Sequence, residues 1–404
     1  MNQQTLLSTR HLFTLWFGAA ISITEILAGG ILAPLGFMRG LFAIILGHLI
    51  GTSFLILAGR IGFESKLPAI ASTGLTFGSI GSRLFSFLNI LQLIGWTAIM
   101  ILSAAQSLEV LSQSLWKFGD QTLWVWVVGG LVFLWIWLGP KGSWKSLNMG
   151  AVGLLAILTL SLSWALFYGQ GQILLDAPAT NGLPFGLGLE LSLVMPLSWV
   201  PLIADYTRFA KNKSSATFGS GLGYFLGSSW MYVIGLGLAI IAGSSDLPAM
   251  MLAAKLGLSA LGILLLSTVT TTFLDAYSAG VCLSHLWPKM PEKSSALGVT
   301  VIGILLALWA NMDQYENFLL IIGSVFVPLF TILFVDYFIH KKRETDNTLI
   351  LNVSAFATWF VGLSLYHYLL SLNWDWGSTL PIILITGILY YFLGKSPFLW
   401  RKSI

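Results

Sequence analysis

Two acidic side chains lie inside long apolar segments, where an ionisable group is costly and usually faces a cavity or the interior of a helix bundle. Glu25 stands about one turn before a pair of glycines, and Asp275 lies in the segment STVTTTFLDAY at 267–277. A buried carboxylate can accept a hydrogen bond from a donor group of a bound ligand, or carry a proton in a low-dielectric site. Both residues are predicted to bind substrate, with a structural hydrogen bond or a proton-carrying role as alternatives.

Hydroxyl side chains cluster in the same segment and could hold a hard cation such as sodium, because hard cations prefer oxygen ligands. Thr270 and Thr271 are adjacent, and Ser267 lies one turn earlier. The alternative is that each threonine bonds back to a carbonyl of its own helix. Carbonyls of an interrupted helix would complete a cation site, and the candidates are those of Ala28, Gly29 and Leu32.

Aromatic and amide groups suited to a planar ligand occur at two further places. Gln92 and Trp96 are four residues apart and share one face of a helix. Trp199 lies between two prolines. Offset stacking on such rings adds about 0.5–1.5 kcal/mol beyond area burial. We predict that all three residues contact a substrate, although most of the 17 tryptophans must serve packing or the membrane interface.

Long apolar runs must position these residues. A bilayer core of about 30 Å requires roughly 20 apolar residues of helix, and only 9% of this chain is charged. The sequence therefore predicts an all-α polytopic membrane protein with twelve transmembrane helices. The predicted spans are 13–36, 40–59, 83–108, 122–138, 147–168, 186–206, 216–242, 258–286, 296–311, 316–339, 349–371 and 378–394.

The positive charges indicate the orientation. Seventeen of the 20 Lys and Arg residues fall on one side of the predicted spans, and only Arg39, Lys117 and Lys255 fall on the other. Positive loops mark the cytoplasmic face. We expect a bacterial inner (cytoplasmic) membrane protein with both termini in the cytoplasm. The positive net charge reflects this asymmetry, so nucleic acid is not an expected partner.

Several classes of function are disfavoured. Cys282 is the only cysteine, the five histidines have no metal-ligand spacing, and no phosphate-binding loop of the form GxxxxGK[ST] occurs. ATP-driven transport and catalysis are therefore not expected, and no cofactor is predicted beyond a coupling ion.

Two predicted helices contain breaks, which membrane proteins tolerate where the backbone lines a cavity. The first is GGILAP at 29–34 in helix 1, and the second is MPLSWVP at 195–201 in helix 6. These helices begin two blocks of five, and corresponding interruptions in two halves are typical of secondary transporters. We predict a single domain over 1–404 with an inverted 5+5 repeat. Its parts are 13–168, 186–339 and the appended helices 11 and 12 at 349–394.

Two stretches resemble the nucleobase:cation symporter family, also called the purine/cytosine permease family. PLSWVPLIADYTRF at 196–209 resembles its helix 6 signature, which runs from a tryptophan to ADY[ST]RF. WFG at 16–18, EILAGG at 25–30 and LAPLGF at 32–37 look like the branch of hydroxymethylpyrimidine transporters. The resemblance covers essentially the whole chain in length, helix number and break positions.

The resemblance implies a LeuT-like fold in which helices 1, 2, 6 and 7 rock against helices 3, 4, 8 and 9. It implies uptake of a planar nitrogen heterocycle by symport with Na+ or H+. Thr270 and Thr271 match the family's sodium-binding hydroxyl pair, and Gln92 and Trp96 match its helix 3 residues that bond and stack the ring. The family's asparagines after the hydroxyl pair are replaced here, with Asp275 nearby.

The expected substrate is hydroxymethylpyrimidine, a thiamine precursor. The alternatives are cytosine or a purine, or an amino acid or amine carried on the same fold. A channel or a membrane receptor is the competing class. We expect a monomer whose partners are its heterocyclic substrate and membrane lipid.

Overall fold

The computed structural model describes residues 6–138, 144–180, 182–253, 258–372, 374 and 376–401. Among the charges used above for orientation, Lys141, Lys255 and Lys402 lie outside the described residues. The described part of the chain is mostly helical. Its α-helices are α1 (Thr9–Ala20), α2 (Ile23–Ile31), α3 (Phe37–Ser65), α4 (Gly74–Trp116), α5 (Gln121–Leu138), α6 (Trp144–Leu175), α7 (Phe185–Ser198), α8 (Val200–Thr207), α9 (Ser220–Ala242), α10 (Leu247–Ala253), α11 (Leu258–Leu286), α12 (Glu292–Ala307), α13 (Tyr315–Phe334), α14 (Val353–Ser371) and α15 (Thr379–Leu393).

Each of the twelve predicted spans overlaps one of these helices or two consecutive ones. In the described ranges, eight helical segments are long and apolar enough to cross a membrane, and the bent pair formed by α1 and α2 makes nine. The other three predicted spans coincide with α11, α12 and α15.

The break in helix 1 lies earlier than predicted. α1 and the segment Ile23–Leu35, which contains α2 and the turn after it, meet at an angle of 56°. The residues between α1 and α2 are Ile21 and Ser22. Ser22 has an extended backbone, and its Oγ accepts a hydrogen bond from the Thr24 amide, which caps α2. The prediction of a break at residues 29–34 is therefore wrong in position.

The glycine pair has a packing role instead. Gly29 and Gly30 lie inside α2, and a Cβ at Gly29 would overlap the carbonyl oxygen of Tyr232 in α9. Gly29 thus allows α2 and α9 to approach backbone to backbone, as small residues do between membrane helices. Pro34 lies just beyond, in a single 3₁₀ turn at Ala33–Leu35.

The break in helix 6 is confirmed. α7 ends at Ser198 and α8 begins at Val200, with Trp199 between them. Pro201 has no N–H to continue the helical ladder. The two pieces still form one segment across Phe185–Thr207.

Helix 11 begins later than predicted, because residues 349–352 form a strand. β1 (Leu349–Asn352) pairs antiparallel with β2 (Leu399–Arg401). The backbone of β1 passes close to a kink in α4 at Gly78, whose φ is 78°. A Cβ there would lie 2.6 Å from the carbonyl oxygen of Ile350, so only glycine suits both the conformation and the space.

Contacts among the described helices form two main groups. α1, α2, α3, α7, α8 and α9 pack on one another, and so do α4, α5, α11 and α12. Fewer contacts join the two groups, mainly between α1 and α11 and between α2 and α4. α13, α14 and α15 pack together and against α7.

Candidate functional site

Aromatic side chains fill the space between the two helix breaks. The Trp16 and Trp199 rings meet edge to face with centroids 5.7 Å apart. Trp16 also meets Tyr206 at 5.8 Å, and Tyr224 lies 6.2 Å from Trp199. We call Trp16, Trp199, Tyr206 and Tyr224 the aromatic cluster. It offers ring edges and faces of the kind that bind a planar molecule.

Gln92 reaches the helix 6 break from α4. Its Nε2 donates to the carbonyl oxygen of Ser198 at 2.8 Å. That carbonyl lacks its regular helical partner, because the amide of Leu202 donates to Trp199 instead. Gln92 Oε1 is buried and has no hydrogen-bond partner in the described part of the chain, so it remains available to accept from a ligand.

Trp96 lies one turn further along α4 and packs against α13. Its ring meets Phe318 at 5.3 Å and Tyr315 at 6.2 Å, both edge to face. The structure therefore places Gln92 at the helix 6 break and Trp96 beside it, at the contact between α4 and α13.

Glu25 is buried, and both of its oxygens contact α9. Tyr224 donates to Oε1 at 2.7 Å, and Ser228 Oγ lies 2.7 Å from Oε2. A substrate would have to displace these groups to reach the carboxylate. This arrangement corresponds to the structural and proton-carrying alternatives.

The predicted cation ligands are only partly brought together. Thr271 donates from α11 to the carbonyl oxygen of Ala19 at 3.3 Å. Ala19 stands at the end of α1, where carbonyls have no regular helical partner. Thr270 lies beside it and bonds back to the carbonyls of Leu266 at 2.8 Å and Ser267 at 3.2 Å.

The other predicted ligands lie further along helix 1. Ala28 is nine residues beyond Ala19 and lies in α2, on the far side of the bend. The Gly29 carbonyl accepts from the Leu32 amide. The structure thus offers Ala19 as the helix 1 carbonyl at the threonine pair, in place of those of Ala28, Gly29 and Leu32.

Asp275 faces the bundle interior. It shares a helical face with Thr271 and Cys282, whose partners are Ala19 of α1 and Asn89 of α4. Asp275 is buried, and in the described ranges its carboxylate forms no hydrogen bond or ion pair. A buried carboxylate without partners is costly, so it is suited to receive a donor from a ligand.

A cavity of about 300 Å³ adjoins these groups. It extends from Ala19 and Thr270 past Asp205 towards Leu7 and Phe209, near the positively charged loops. The cavity could connect the threonine pair with that face of the protein.

Sequence reasoning missed four residues at this centre. Trp16 is fully buried, and its Nε1 has no acceptor within the described ranges. Ser22 caps α2 at the break, and Tyr224 and Ser228 hold Glu25. Ser22 is followed by Glu25 three residues later, and this spacing before a helical stretch is a capping signal that could have been detected. Trp16 belongs to the WFG stretch that carries the family resemblance, but no site role was predicted for it, and nothing in the sequence distinguished Tyr224 and Ser228.

Known proteins share this architecture. The family model for "permease for cytosine/purines, uracil, thiamine, allantoin" matches residues 2–394. The cytosine permease of Escherichia coli (strain K12) is 25% identical over 370 residues, which cover 89% of this chain and 84% of the permease.

Two solved structures show the same fold at low identity. The first is Mhp1, a nucleobase-cation-symport-1 family transporter, with bromovinylhydantoin bound. Its TM-score is 0.78 at 16% sequence identity, and the match covers 98% of this chain and 95% of the Mhp1 chain. The second is a Na+-coupled sialic acid symporter with a TM-score of 0.67 at 13% sequence identity. That match covers 97% of this chain and 91% of the symporter chain. The predicted LeuT-like helical fold is confirmed. This multi-pass membrane transporter, with its interrupted helices 1 and 6, belongs to the family of permeases for cytosine and purines, uracil, thiamine and allantoin, the nucleobase:cation symporters.

Proposed function

We propose that the protein imports an aminopyrimidine by cation-coupled symport, with hydroxymethylpyrimidine as the first candidate. The observation that supports this most is the set of unpaired acceptors beside the aromatic cluster. Gln92 Oε1 and the Asp275 carboxylate are buried without donors in the described part of the chain. A ligand with two donors on a flat ring would satisfy both, and an analogue lacking them would leave buried polar groups unpaired.

Each group has a role in the proposed complex. Asp275 accepts from the exocyclic amine, and Gln92 Oε1 accepts from a second donor. Trp199 covers one ring face, and Trp96 delimits the site on the side of α13. Glu25 is not included, because its oxygens already contact α9.

Cytosine is the second candidate. It has an exocyclic amine and a ring N–H, whereas hydroxymethylpyrimidine supplies a hydroxyl as its second donor. The name of the relative in Escherichia coli favours cytosine.

We place the coupling cation at the end of α1. The Ala19 carbonyl, the hydroxyls of Thr270 and Thr271, and the Ser267 carbonyl are its proposed ligands. An interrupted helix supplies carbonyls for such an ion, and Thr271 already spans the gap between α11 and Ala19. Sodium is the first candidate.

The transport cycle would move the two groups of packed helices relative to each other. The sites lie where these groups meet, because Ala19 belongs to one and Thr271 to the other. We propose alternating access in a monomer with twelve spans, an inverted 5+5 repeat and cytoplasmic termini in a bacterial inner membrane. The cavity beside Thr270 would then be the cytoplasmic pathway.

Thermal unfolding of the purified protein tests the proposal, because a ligand that binds the folded state raises the melting temperature. Hydroxymethylpyrimidine, cytosine, adenine and hydantoin are each compared in sodium and in potassium, with an amino-acid mixture as a further arm. We expect hydroxymethylpyrimidine to stabilise the protein, and more strongly in sodium. Stabilisation by cytosine instead would select the second candidate, and stabilisation by amino acids alone would contradict an aminopyrimidine substrate.

The variant Asp275→Ala sharpens this test. It should abolish the ligand-induced shift while the unliganded protein keeps a cooperative transition. Unchanged affinity would remove Asp275 from the site.

A further inference from the structure

A short chain of polar groups joins α2, α9 and α3 inside the bundle. Glu25 Oε2 lies 2.7 Å from Ser228 Oγ, and Ser228 Oγ lies 2.6 Å from His48 Nε2. His48 Nδ1 lies 2.9 Å from the carbonyl oxygen of Ile44. The Tyr224 hydroxyl donates to the other oxygen of Glu25. Glu25, Ser228 and His48 are all buried.

The number of protons follows from the donors and acceptors. A carbonyl only accepts, so Nδ1 of His48 carries a proton. Ser228 has one hydroxyl proton and cannot donate to both neighbours. If it donates to His48, Glu25 must be protonated and donate to Ser228. If it donates to Glu25, His48 must carry protons on both nitrogens. Either way the group binds one proton beyond a carboxylate and a neutral imidazole.

We propose that Glu25, Ser228 and His48 form a proton-binding site, and that its proton is a second coupling ion of the transport cycle. The role in coupling rests on the proposed function, whereas proton binding itself does not. This site is separate from the cation position, which uses Ala19 and Thr271 on the other side of the helix 1 break.

The surroundings favour a neutral, proton-loaded site. The groups that face Glu25 and His48 from the packed helices are phenols, namely Tyr224 and Tyr232 of α9 and Tyr315 of α13. No Lys or Arg within the described residues pairs with Glu25. An isolated buried carboxylate would be strongly disfavoured there, and binding one proton removes the net charge.

The two proton arrangements interconvert without a net change in charge. The carboxylic proton of Glu25 passes to Ser228 Oγ while the hydroxyl proton of Ser228 passes to His48 Nε2. The products are a carboxylate and an imidazolium. The reverse shift restores the carboxylic acid and the neutral imidazole, so one proton is shared between two helices.

Tyr224 links this site to the helix 6 break. Its hydroxyl donates to Glu25, and its ring lies 6.2 Å from Trp199. A movement of Trp199 during transport would therefore shift the donor on which the Glu25 carboxylate depends. This contact is the proposed route by which conformation changes proton binding.

The first test needs no substrate. Infrared difference spectra of the purified protein are recorded from about pH 5 upwards, past pH 8. They report the protonation of the Glu25 carboxyl group and of the His48 ring. We expect one shared titration step, lost in Glu25→Gln and shifted in His48→Gln. The Glu25→Gln variant should fold, because the new amide can donate to Ser228 while its oxygen accepts from Tyr224. A step that persists in Glu25→Gln, or is unmoved in His48→Gln, would overturn the proposal.

The second test measures coupling in proteoliposomes that contain sodium on both sides. The probe is whichever radiolabelled heterocycle stabilises the protein in the thermal test, and uptake is compared with and without an inward proton gradient. Glu190→Gln is the matched control, because Glu190 is also a buried glutamate with four donors. The gradient should accelerate uptake in the wild type and the control, and the response should be lost in Glu25→Gln. A retained response in Glu25→Gln would contradict the coupling role.

If no heterocycle binds, the proposed function fails by itself. The titration step of the first test still decides whether the proton site exists.

Discussion

The two interrupted helices of this transporter break for different reasons. Helix 1 bends by 56° at Ile21 and Ser22, a place with neither proline nor glycine. Helix 6 is interrupted at Trp199 between two prolines, yet α7 and α8 continue as one segment. The sharper bend thus lacks the residues that usually mark one. Proline and glycine show where a helix is weakened, whereas surrounding contacts decide how far it bends.

The same two helices each hold a buried glutamate, and the two differ in their partners. Glu190 receives only donors, from the amides of Ser378 and Thr379 and the hydroxyls of Tyr366 and Thr379. It caps α15 and ties α14 to helix 6. In the described part of the chain, Glu25 receives no backbone amide and contacts the hydroxyls of Tyr224 and Ser228. Ser228 continues to His48, so a proton can move along this chain, whereas two backbone amides that only donate hold Glu190 Oε2.

The largest expected effect comes from breaking the Glu190 contacts. Glu190→Ala leaves four donors without their acceptor, three at the start of α15 and one in α14, and should destabilise the protein by about 3–5 kcal/mol. Thermal unfolding in detergent measures this, with Glu25→Gln as the comparison because its amide preserves the neighbouring hydrogen bonds. Equal losses in the two variants would show that the glutamates do not differ as described.

Gly29→Ala tests whether the glycine pair packs rather than breaks helix 1. The new methyl group would overlap the backbone of Tyr232, and overpacking of this kind costs about 1–3 kcal/mol. Gly130→Ala in α5 is the matched control, because no atom lies within 4 Å of its added Cβ. A destabilised control together with an unaffected Gly29 variant would refute the close contact between α2 and α9.

Thr271→Val removes the hydroxyl at Ala19 with little change in shape. Losing one oxygen ligand should lower the affinity for sodium about tenfold, which corresponds to about 1.4 kcal/mol of binding free energy. The midpoint of a sodium titration of the melting temperature measures it. Thr300→Val is the control, since Thr300 bonds back to Ala296 within α12. An unchanged midpoint would place the cation elsewhere.

The smallest effect is expected at the helix 1 break. Ser22→Ala removes the cap of α2 and should cost about 1 kcal/mol without straightening the bend. Ser53→Ala on the exposed side of α3 is the control, because that hydroxyl only bonds back to Leu49. The free energy of unfolding of both variants, measured under the same conditions, gives the stability lost with the cap. A loss several times larger would mean that Ser22 alone sets the bend.

Much of the fold could be predicted because membrane insertion depends on local composition. The helical spans were recognisable since each must be apolar over its own length. The helix 6 break was also predictable, because Pro201 removes a backbone donor wherever it lies in a helix. Gln92 was singled out from its spacing with Trp96 and from the resemblance to the family's helix 3 residues, and the structure brings it to that break.

The bend in helix 1 and the chemistry of Glu25 were decided by tertiary contacts. The ends of that bend contact distant helices, where Thr271 bonds to Ala19 and the Ser22 hydroxyl meets Met100. Glu25 finds its partners 199 and 203 residues away in sequence, at Tyr224 and Ser228. Apolar length and missing backbone donors are local properties that the sequence determines by itself. The partner of a buried polar group depends on which helices pack beside it, and only the tertiary structure decides that.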